Sequence, residues 1–270
     1  MSQLRQRVLT AVPLLIGLLL LLFAAPVWVV IAVSTVLMLL GAWEWSAFVG
    51  WQLPLARGGY VAAVAVLMAG IAWLVPGKVG LPVVLWIALL WWLFAFFWIL
   101  RFPIPVPPGI AAIAGLFVLV PAWLSMIAIL RVPQQGPGLL LLALCIVFAA
   151  DVGAYFTGRR FGRIKLAPRV SPGKTWEGLI GGVLFAGLVA AGGSTVLGLP
   201  IAFMAPIGLG IAALSVVGDL TVSMFKRSVG LKDSGQLIPG HGGVLDRLDS
   251  VTAALPTFAL ALSWLGVLPE

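Results

Sequence analysis

Acidic side chains are rare in this 270-residue sequence, and they gather in its second half. Residues 1–140 contain a single carboxylate, Glu44, whereas residues 141–249 contain six: Asp151, Glu177, Asp219, Asp233, Asp246 and Asp249. Carboxylate oxygens are the hard ligands that Mg²⁺ prefers, while lysine and arginine side chains bind phosphate groups. Carboxylates beside many cations therefore predict a site for a metal ion and phosphates in the second half of the chain.

Asp219 is a strong candidate because it lies inside an apolar stretch, seven residues before Lys226. The spacing i, i+4, i+7, i+8 places four polar residues on one helical face: Asp219, Ser223, Lys226 and Arg227. An ionised aspartate within the membrane costs about 2.5 to 3.5 kcal/mol on insertion and is tolerated beside a polar cavity or a cation. The structural alternative is a buried Asp219 that pairs with a basic residue only for packing.

Asp246 and Asp249 are three residues apart and can share a face at the start of the last predicted helix. Their carboxylates are candidate metal ligands together with Asp219. The structural alternatives are that Asp249 caps this helix and that Asp246 pairs with Arg247 or favours the helix dipole.

The segment GRRFGRIKLAPRVSPGKTWEG, residues 158–178, supplies further candidates. SPGKT does not form a Walker P-loop, because the required first glycine is replaced by Pro168 and no preceding strand is expected. Lys174 is a phosphate-binding candidate near a helix N-terminus, or one more cytoplasmic anchor. We interpret Arg159, Arg160 and Arg163 as cytoplasmic anchors.

Residues 239–243, PGHGG, form a segment whose glycines allow close approach to an anion. His241 is the only histidine of the chain. It is a candidate for proton transfer, and the alternative is a structural hydrogen-bond partner.

Membrane helices must position these residues. The chain is 62% hydrophobic and 9% charged, which leaves too little polar surface for a water-soluble globule. Apolar runs of about 20 residues, broken at proline, glycine and charge, predict an all-α polytopic membrane protein. The nine predicted spans are 8–24, 27–49, 59–75, 82–99, 109–130, 138–158, 177–198, 202–225 and 249–267.

Lysine and arginine residues predict the orientation of these spans. With a cytoplasmic N-terminus, 14 of the 16 lie on the cytoplasmic side, and only Lys78 and Arg131 lie on the other. We therefore expect the C-terminus on the opposite side and the site at the cytoplasmic face of the membrane. These loops also explain the net charge of +8 without a nucleic-acid partner.

Internal repeats and linkers are not evident, so we predict one transmembrane domain over residues 1–270. Residues 1–140 would be mainly scaffold, and residues 141–270 would carry the site. In the seventh span, Gly178, Gly182 and Ala186 have the small-xxx-small spacing that allows helices to pack closely.

Two blocks of residues carry a family resemblance. The longer block contains Ser223, Lys226-Arg227, Lys232-Asp233, Pro239, His241-Gly242-Gly243, Asp246-Arg247 and Asp249. It closely resembles the signature of the phosphatidate cytidylyltransferases, also called CDP-diacylglycerol synthases. A second block is similar to that family at Asp151, Gly158, Phe161-Gly162, Ser171-Pro172, Lys174-Thr175 and Glu177-Gly178. Gly173 departs from the pattern, where a polar or basic residue is expected.

The resemblance implies Mg²⁺-dependent transfer of CMP from CTP to phosphatidate, giving CDP-diacylglycerol and pyrophosphate. Asp219 and Asp246 would hold the metal, Asp249 is a third candidate ligand, and a second cation is left open. The implied catalytic residues are Asp219, Asp246, Lys226, Arg227 and His241. The implied substrate-binding residues are Asp151, Ser171, Lys174, Thr175, Glu177, Ser223, Lys232, Asp233, Gly242, Gly243 and Arg247. The partners would be CTP, phosphatidate and the bilayer, and a homodimer is left open.

Two other functions stay open on the sequence. A transporter or flippase for anionic lipids would also place Asp219 and cations along a path through the membrane, although no inverted repeat is evident. A cytidylyltransferase for an isoprenoid-type lipid phosphate would use the same phosphate and metal residues, since lipid chains meet only apolar walls.

Overall fold

The computed structural model describes residues 3–75, 80–235 and 242–268, with the side chains of residues 3–11 left undescribed. Nine α-helices and a two-stranded sheet occupy these residues. The helices are α1 (Gln3–Ala24), α2 (Val27–Trp45), α3 (Pro54–Leu74), α4 (Gly80–Arg101), α5 (Pro108–Leu130), α6 (Gly136–Phe161), α7 (Trp176–Val196), α8 (Ile201–Ser228) and α9 (Leu245–Trp264). The strands β1 (Lys165–Ala167) and β2 (Ser171–Thr175) lie between α6 and α7.

The helices confirm a membrane protein. Within the described ranges, seven helices, α2 to α8, are long and apolar enough to cross a bilayer. α1 contributes a shorter apolar stretch, Val12–Ala24, and α9 is not among the seven. The count of nine spans and the orientation of the termini therefore stay predictions.

Each predicted span corresponds to one helix. α2 ends four residues before its predicted end and α3 begins five residues before its predicted start, and two helices extend where charged residues follow the apolar part. α6 continues through Arg159 and Arg160, and α8 continues through Lys226 and Arg227. Cations in the last turn interact favourably with the negative end of the helix dipole, so these helices extend beyond their apolar segments.

α5 and α9 form the centre of the bundle. α9 packs against α8, α5 and α4, and also contacts α6 and α2. Residues 249–262 of α9 are buried except for Thr257, and α5 is buried throughout residues 118–130. α9 can therefore carry a polar first turn because protein, and not lipid, surrounds it.

Small residues bring α6 and α7 together. A Cβ atom at Gly178 would lie 3.0 Å from the Ala154 carbonyl oxygen, and a Cβ atom at Gly182 would overlap the Ala150 carbonyl. The helix backbones thus touch where glycine leaves space. The close packing predicted from the small-xxx-small spacing is confirmed at these two positions.

The β-hairpin departs from the all-α prediction. β1 and β2 pair antiparallel, with Lys165 opposite Thr175 and Ala167 opposite Ser171. The expectation that no strand precedes SPGKT was wrong, because β1 (Lys165–Ala167) lies before it, and SPGKT itself forms β2. Its proline and glycine concealed the strand in the sequence, although a proline is tolerated at a sheet edge. The segment still lacks the first glycine of a P-loop.

Candidate active site

Two ion pairs connect α8 to the elements beside it. The Lys174 Nζ atom, from β2, lies 2.6 Å from Asp219 Oδ2. The Lys226 Nζ atom lies 2.7 Å from Asp246 Oδ1, at the start of α9. Asp219 and Lys226 are separated by about 10 Å along α8, given a rise of about 1.5 Å per residue. The structure thus brings residues from both predicted segments together along one helix.

The Lys174–Asp219 pair is partly open to its surroundings. The exposed fractions of the two side chains are 25% and 27%. Ser223 Oγ, one turn further along α8, donates a hydrogen bond of 3.2 Å to Asp219 Oδ1. Asp219 and Ser223 therefore share the helical face that their spacing predicted.

The Lys226–Asp246 pair is more enclosed, with exposed fractions of 11% and 12%. Asp246 Oδ2 accepts hydrogen bonds from the backbone N–H groups of Ser234 (2.9 Å) and Gly243 (3.0 Å). Burial disfavours the charged carboxylate, but the Lys226 ammonium and these N–H groups outweigh burial and hold the pKa of Asp246 below its usual range. Asp246 is thus a carboxylate with fixed donors on both oxygens.

Asp249 is buried in α9, close to both pairs. The charges of Asp219, Lys226 and Lys174 act on it, and its Oδ1 accepts a hydrogen bond of 2.7 Å from the Ser250 N–H. A Cβ atom at Gly218 would lie 2.5 Å from the Asp249 carbonyl oxygen, so glycine lets α8 and α9 touch beside Asp219. The alternative that Asp249 caps α9 was wrong, because the helix begins one turn earlier.

A cavity of about 360 Å³ adjoins the Lys174–Asp219 pair. This volume falls within the range of about 300 to 1,000 Å³ that is typical of ligand pockets. Its lining comes from α6, the hairpin, α7 and α8: Asp151, Ala154, Tyr155, Gly158, Arg159, Leu166, Gly173, Lys174, Thr175, Gly178, Leu179 and Val216. The charges of Lys174 and Asp219 both act on Asp151. The cavity therefore joins cations and carboxylates from three elements.

Arg159 and Tyr155 line the same cavity, although Arg159 was predicted to be only a cytoplasmic anchor. Arg159 Nη1 donates a hydrogen bond of 2.7 Å to the Tyr155 hydroxyl. Their i, i+4 spacing on α6 was the available signal, because such residues are neighbours on a helix surface. The sequence did not indicate that this face of α6 borders a cavity.

Glu44 is a buried carboxylate near the site that was not among the predicted site residues. It lies on α2 in the predicted scaffold half, and it is only 2% exposed. Its carboxyl oxygens accept hydrogen bonds from Ser234 Oγ (3.0 Å), Val244 N–H (3.0 Å) and Leu245 N–H (2.8 Å). These backbone groups stand at the start of α9, where the first N–H groups lack partners within the helix. A lone acid in an apolar half was the available signal, since a buried carboxyl group needs donors.

Glu44 and Asp246 hold the same segment. Ser234 donates its N–H to Asp246 and its hydroxyl to Glu44. Gly243 donates its N–H to Asp246, and a Cβ atom on it would overlap the Glu44 carboxyl group. Gly242 has φ +80°, a conformation that glycine adopts without steric cost. Both ends of residues 234–243 are therefore fixed, whereas His241 lies outside the described residues.

Two predicted substrate-binding residues have structural contacts. Thr175 caps α7, because its Oγ1 accepts a hydrogen bond of 3.2 Å from the Gly178 N–H. The Glu177 carboxylate accepts from the Ile164 N–H at 3.2 and 3.3 Å and so fixes the entry to the hairpin. These contacts give both residues a structural role that requires no substrate.

Five further residues of the predicted site do not line this cavity: Ser171, Arg227, Lys232, Asp233 and Arg247. Arg227 is exposed, and its Nη1 donates a hydrogen bond of 3.4 Å to the Leu231 carbonyl. Lys232, Asp233 and Arg247 are exposed, and Ser171 is half-buried in β2. Their assignment to substrate binding stays a prediction.

The predicted metal ligands do not converge equally. In the ranges that the structure describes, groups of three or more His, Cys, Asp or Glu side chains able to hold a metal ion are absent. Asp246 has both oxygens engaged by N–H donors. Asp219 and Asp249 lie within electrostatic reach of each other and carry the hard oxygen donors that Mg²⁺ prefers. Asp219 also has a donor on each oxygen, Lys174 Nζ and Ser223 Oγ, but its side chain is more exposed than that of Asp246, so a metal ion can replace those donors more readily.

A bundle of apolar helices with a cavity of ligand size beside the Lys174–Asp219 pair defines an integral membrane protein with a candidate site for charged ligands. Residues 5–265 match the model of the cytidylyltransferase family. The chain therefore belongs to the cytidylyltransferase family.

Named relatives agree with this assignment. The chain is 43% identical to a phosphatidate cytidylyltransferase of Pseudomonas aeruginosa, across 83% of this chain and 84% of that protein. It is 39% identical to a phosphatidate cytidylyltransferase of Haemophilus influenzae, across 95% of this chain and 97% of that protein. A protein of the same name from Brucella suis is 49% identical, across 40% of this chain and 41% of that protein.

Proposed function

We propose that this protein transfers CMP from CTP to phosphatidate in the membrane, producing CDP-diacylglycerol and pyrophosphate. The observation that carries the proposal is the match of almost the whole chain to bacterial relatives named phosphatidate cytidylyltransferase. The comparisons do not favour the transporter or the isoprenoid-type acceptor.

The reaction makes and breaks one bond at the α-phosphorus of CTP. An oxygen of the phosphatidate phosphate forms the new bond, and the bond from the α-phosphorus to the oxygen that bridges to the β-phosphorus breaks. Pyrophosphate leaves with that electron pair. A phosphate monoester has a second pKa of about 6, so the nucleophile is largely ionised near pH 7 and needs no strong base. The protein's task is to hold two polyanions together and to offset their charge.

Lys174 is the cation best placed for that task. It lines the cavity and pairs with Asp219, so it can contact a phosphate group at the place where the cavity meets Asp219. Lys226 is enclosed by Asp246, which supports a role in positioning that carboxylate. Phosphate binding by Arg227 and Lys232 stays a prediction.

Mg²⁺ is the proposed cofactor, and Asp219 and Asp249 are the residues that would hold it. When bound, Mg²⁺ would supply positive charge to the nucleotide phosphates. The support is the chemistry of these two carboxylates and their position beside Lys174. A ligand role for Asp246 and a second cation stay predictions.

The proposed location of the site is the cytoplasmic face of a bacterial inner membrane. Support comes from the distribution of lysine and arginine, because 14 of 16 lie on one side of the predicted topology. CTP would then reach the cavity from water, and phosphatidate would reach it from the bilayer. The homodimer also stays a prediction.

Pyrophosphate release tests the function. Purified protein in detergent is incubated with phosphatidate, Mg²⁺ and either ATP, CTP, GTP or UTP, and we expect lipid-dependent release with CTP alone. A parallel reaction replaces phosphatidate with an isoprenoid phosphate. Release only with the isoprenoid phosphate would change the acceptor, and no release from folded protein with any nucleotide would contradict the proposed function.

A further inference from the structure

The C-terminal end of α2 contacts the site, although the site residues belong to the other half of the chain. Glu44 and Trp45 are consecutive residues of α2, and they are 2% and 0% exposed. Their half of the chain was predicted to be mainly scaffold. Their contacts nevertheless reach the two residues that directly precede the partners of the Lys226–Asp246 pair.

Glu44 holds the Asp246 side of that pair. Its Oε2 atom accepts a hydrogen bond of 2.8 Å from the N–H of Leu245, the residue directly before Asp246. Its Oε1 atom accepts one of 3.0 Å from the Val244 N–H. Both oxygens are acceptors, as in an ionised carboxylate, and negative charge is favourable beside a helix N-terminus. The first turn of α9 is therefore fixed to α2.

Trp45 holds the Lys226 side of the same pair. The centroid of its ring lies 4.9 Å from that of Phe225, the residue directly before Lys226 on α8. Its Nε1 atom donates a hydrogen bond of 2.8 Å to the Ala111 carbonyl of α5, which fixes the orientation of the ring. Two neighbouring residues of α2 thus contact α8 and α9 where the Lys226–Asp246 pair joins these helices.

The first turn of α9 connects Glu44 to the open part of the site. Leu245 and Asp249 are four residues apart, so they are neighbours on the same face of α9. A shift of Leu245 along the helix axis therefore moves Asp249 with it. The charges of Asp219 and Lys174 both act on Asp249. A change at Glu44 is thus expected to alter the geometry beside the Lys174–Asp219 pair.

We propose that Glu44 is a positioning residue for CMP transfer, which acts through Leu245 to fix Asp246 and Asp249 relative to α8. This inference rests on the proposed function and extends the site into residues 1–140. Glu44 does not line the cavity beside the Lys174–Asp219 pair, so it acts on geometry and not by direct contact with a phosphate there. Misplacement of a reacting group by about 1 Å can lower a rate about 10²-fold.

Glu44→Gln tests the inference because the side chain keeps nearly the same size. One amide oxygen cannot occupy both carboxylate positions, so the N–H of Val244 or of Leu245 then faces the amide NH₂ group. We expect kcat to fall about ten- to hundredfold, with KM for CTP and for phosphatidate within about twofold of wild type. The assay temperature is kept well below the Tm of the variant, so that the protein is folded.

Ser46→Ala is the matched control for a loss of stability at the same end of α2. Ser46 is 0% exposed, and its Oγ accepts a hydrogen bond of 2.8 Å from Arg57 Nε of α3 and donates one of 2.6 Å to the Trp43 carbonyl. We expect Ser46→Ala to lower Tm with kcat unchanged, because these contacts do not involve α9. Equal losses of kcat in both variants, or a wild-type kcat in Glu44→Gln, would overturn the inference.

Hydrogen exchange gives a measurement that does not depend on turnover. Mass spectrometry follows the exchange of backbone amides in peptides that cover the start of α9, residues 244–249. Exchange should be faster in Glu44→Gln than in wild type and unchanged in Ser46→Ala, because Glu44 accepts hydrogen bonds from two of these amides. Equal exchange in Glu44→Gln and wild type would contradict the proposed link.

Ser234→Ala is a milder variant that serves if Glu44→Gln does not fold. It removes the hydroxyl donor to Glu44 and leaves the two backbone donors in place. We expect kcat to fall about three- to tenfold with both KM values unchanged, and an unchanged kcat would overturn the inference. Wild-type protein without CTP turnover would instead refute the proposed function, and the positioning role with it.

Discussion

The two ion pairs of α8 use the same residue types in different surroundings. In the Lys174–Asp219 pair about a quarter of each side chain is exposed, and Asp219 has one hydroxyl donor in addition. In the Lys226–Asp246 pair about a tenth is exposed, and Asp246 accepts two backbone hydrogen bonds in addition. The open pair borders the cavity, whereas the enclosed pair fixes the start of α9.

The difference in exposure assigns a different role to each ion pair. A partly exposed ammonium can exchange one anionic partner for another, because water screens the change. Breaking a buried pair leaves an uncompensated charge and is strongly destabilising. We therefore interpret Lys174–Asp219 as the pair that meets substrate, and Lys226–Asp246 as the pair that holds the polypeptide around it.

The largest expected effect is on stability, from Asp246→Asn. The substitution leaves the buried Lys226 ammonium without its carboxylate, and breaking such a pair costs about 3 to 5 kcal/mol. Thermal unfolding of the purified protein in detergent should show a clearly lower Tm. Asp233→Asn is the control, because Asp233 is exposed in the same segment and its substitution should leave Tm unchanged.

One result for Asp246→Asn would contradict the structural role of the Lys226–Asp246 pair. If the variant has the wild-type Tm but no activity, Asp246 acts directly on substrate or metal. The enclosed pair would then belong to the chemistry as well.

Asp219→Asn should have the largest effect on activity. It removes a proposed metal ligand and the partner of Lys174, and loss of one such electrostatic group typically lowers the rate about 10²- to 10³-fold. The fold should persist, because a neutral side chain is easier to bury than a charged one. Pyrophosphate release and Tm are measured together. Near wild-type turnover would remove Asp219 from the metal site.

Glu44→Gln tests whether the enclosed pair depends on α2. The amide cannot accept all three hydrogen bonds with both of its polar atoms, and an unsatisfied buried group costs about 1 to 3 kcal/mol. We expect a lower Tm and a non-additive effect with Asp246→Asn, because both side chains bind Ser234. With Asp219→Asn the effects on Tm should add. If the effects on Tm add in both combinations, Glu44 and Asp246 stabilise the segment around Ser234 independently of each other.

The smallest expected effect comes from Lys174→Ala. Loss of one phosphate-binding cation should raise KM for CTP or phosphatidate about tenfold, which equals about 1.4 kcal/mol. Arg163→Ala is the control, because Arg163 is exposed and does not line the cavity. An unchanged dependence of the rate on both substrates would return Lys174 to the cytoplasmic anchors.

Most of the helical fold was predictable, because apolar length is a strong signal in a membrane chain. The predicted span 109–130 corresponds to α5 (Pro108–Leu130), and the span 82–99 to α4 (Gly80–Arg101). The hairpin was not predictable by the same means, since a strand of five residues with proline and glycine has no apolar periodicity. It nevertheless places Lys174 opposite α8.

The charged residues of the site were partly predictable from the sequence, but which of them form ion pairs with each other was not. Asp219, Lys174, Lys226 and Asp246 were all candidates, because charged groups in an apolar chain need a reason to be there. That Lys174 pairs with Asp219 and Lys226 with Asp246 depends on the packing of β2 and α9 against α8. The apolar cavity between α4, the hairpin and α8 carries no signal in the sequence, since its walls have the same composition as any lipid-facing surface.

The sequence by itself determined a helical membrane protein, the family resemblance over residues 151–249 and most of the charged candidates for the site, because hydropathy and residue type are local properties. Only the tertiary structure decided which carboxylate is open and which is enclosed, because exposure depends on neighbours far apart in the chain. Glu44 shows this most clearly: its hydrogen-bond partners Ser234, Val244 and Leu245 follow it by 190, 200 and 201 residues. Such a contact forms only when α2 and α9 pack in the same bundle.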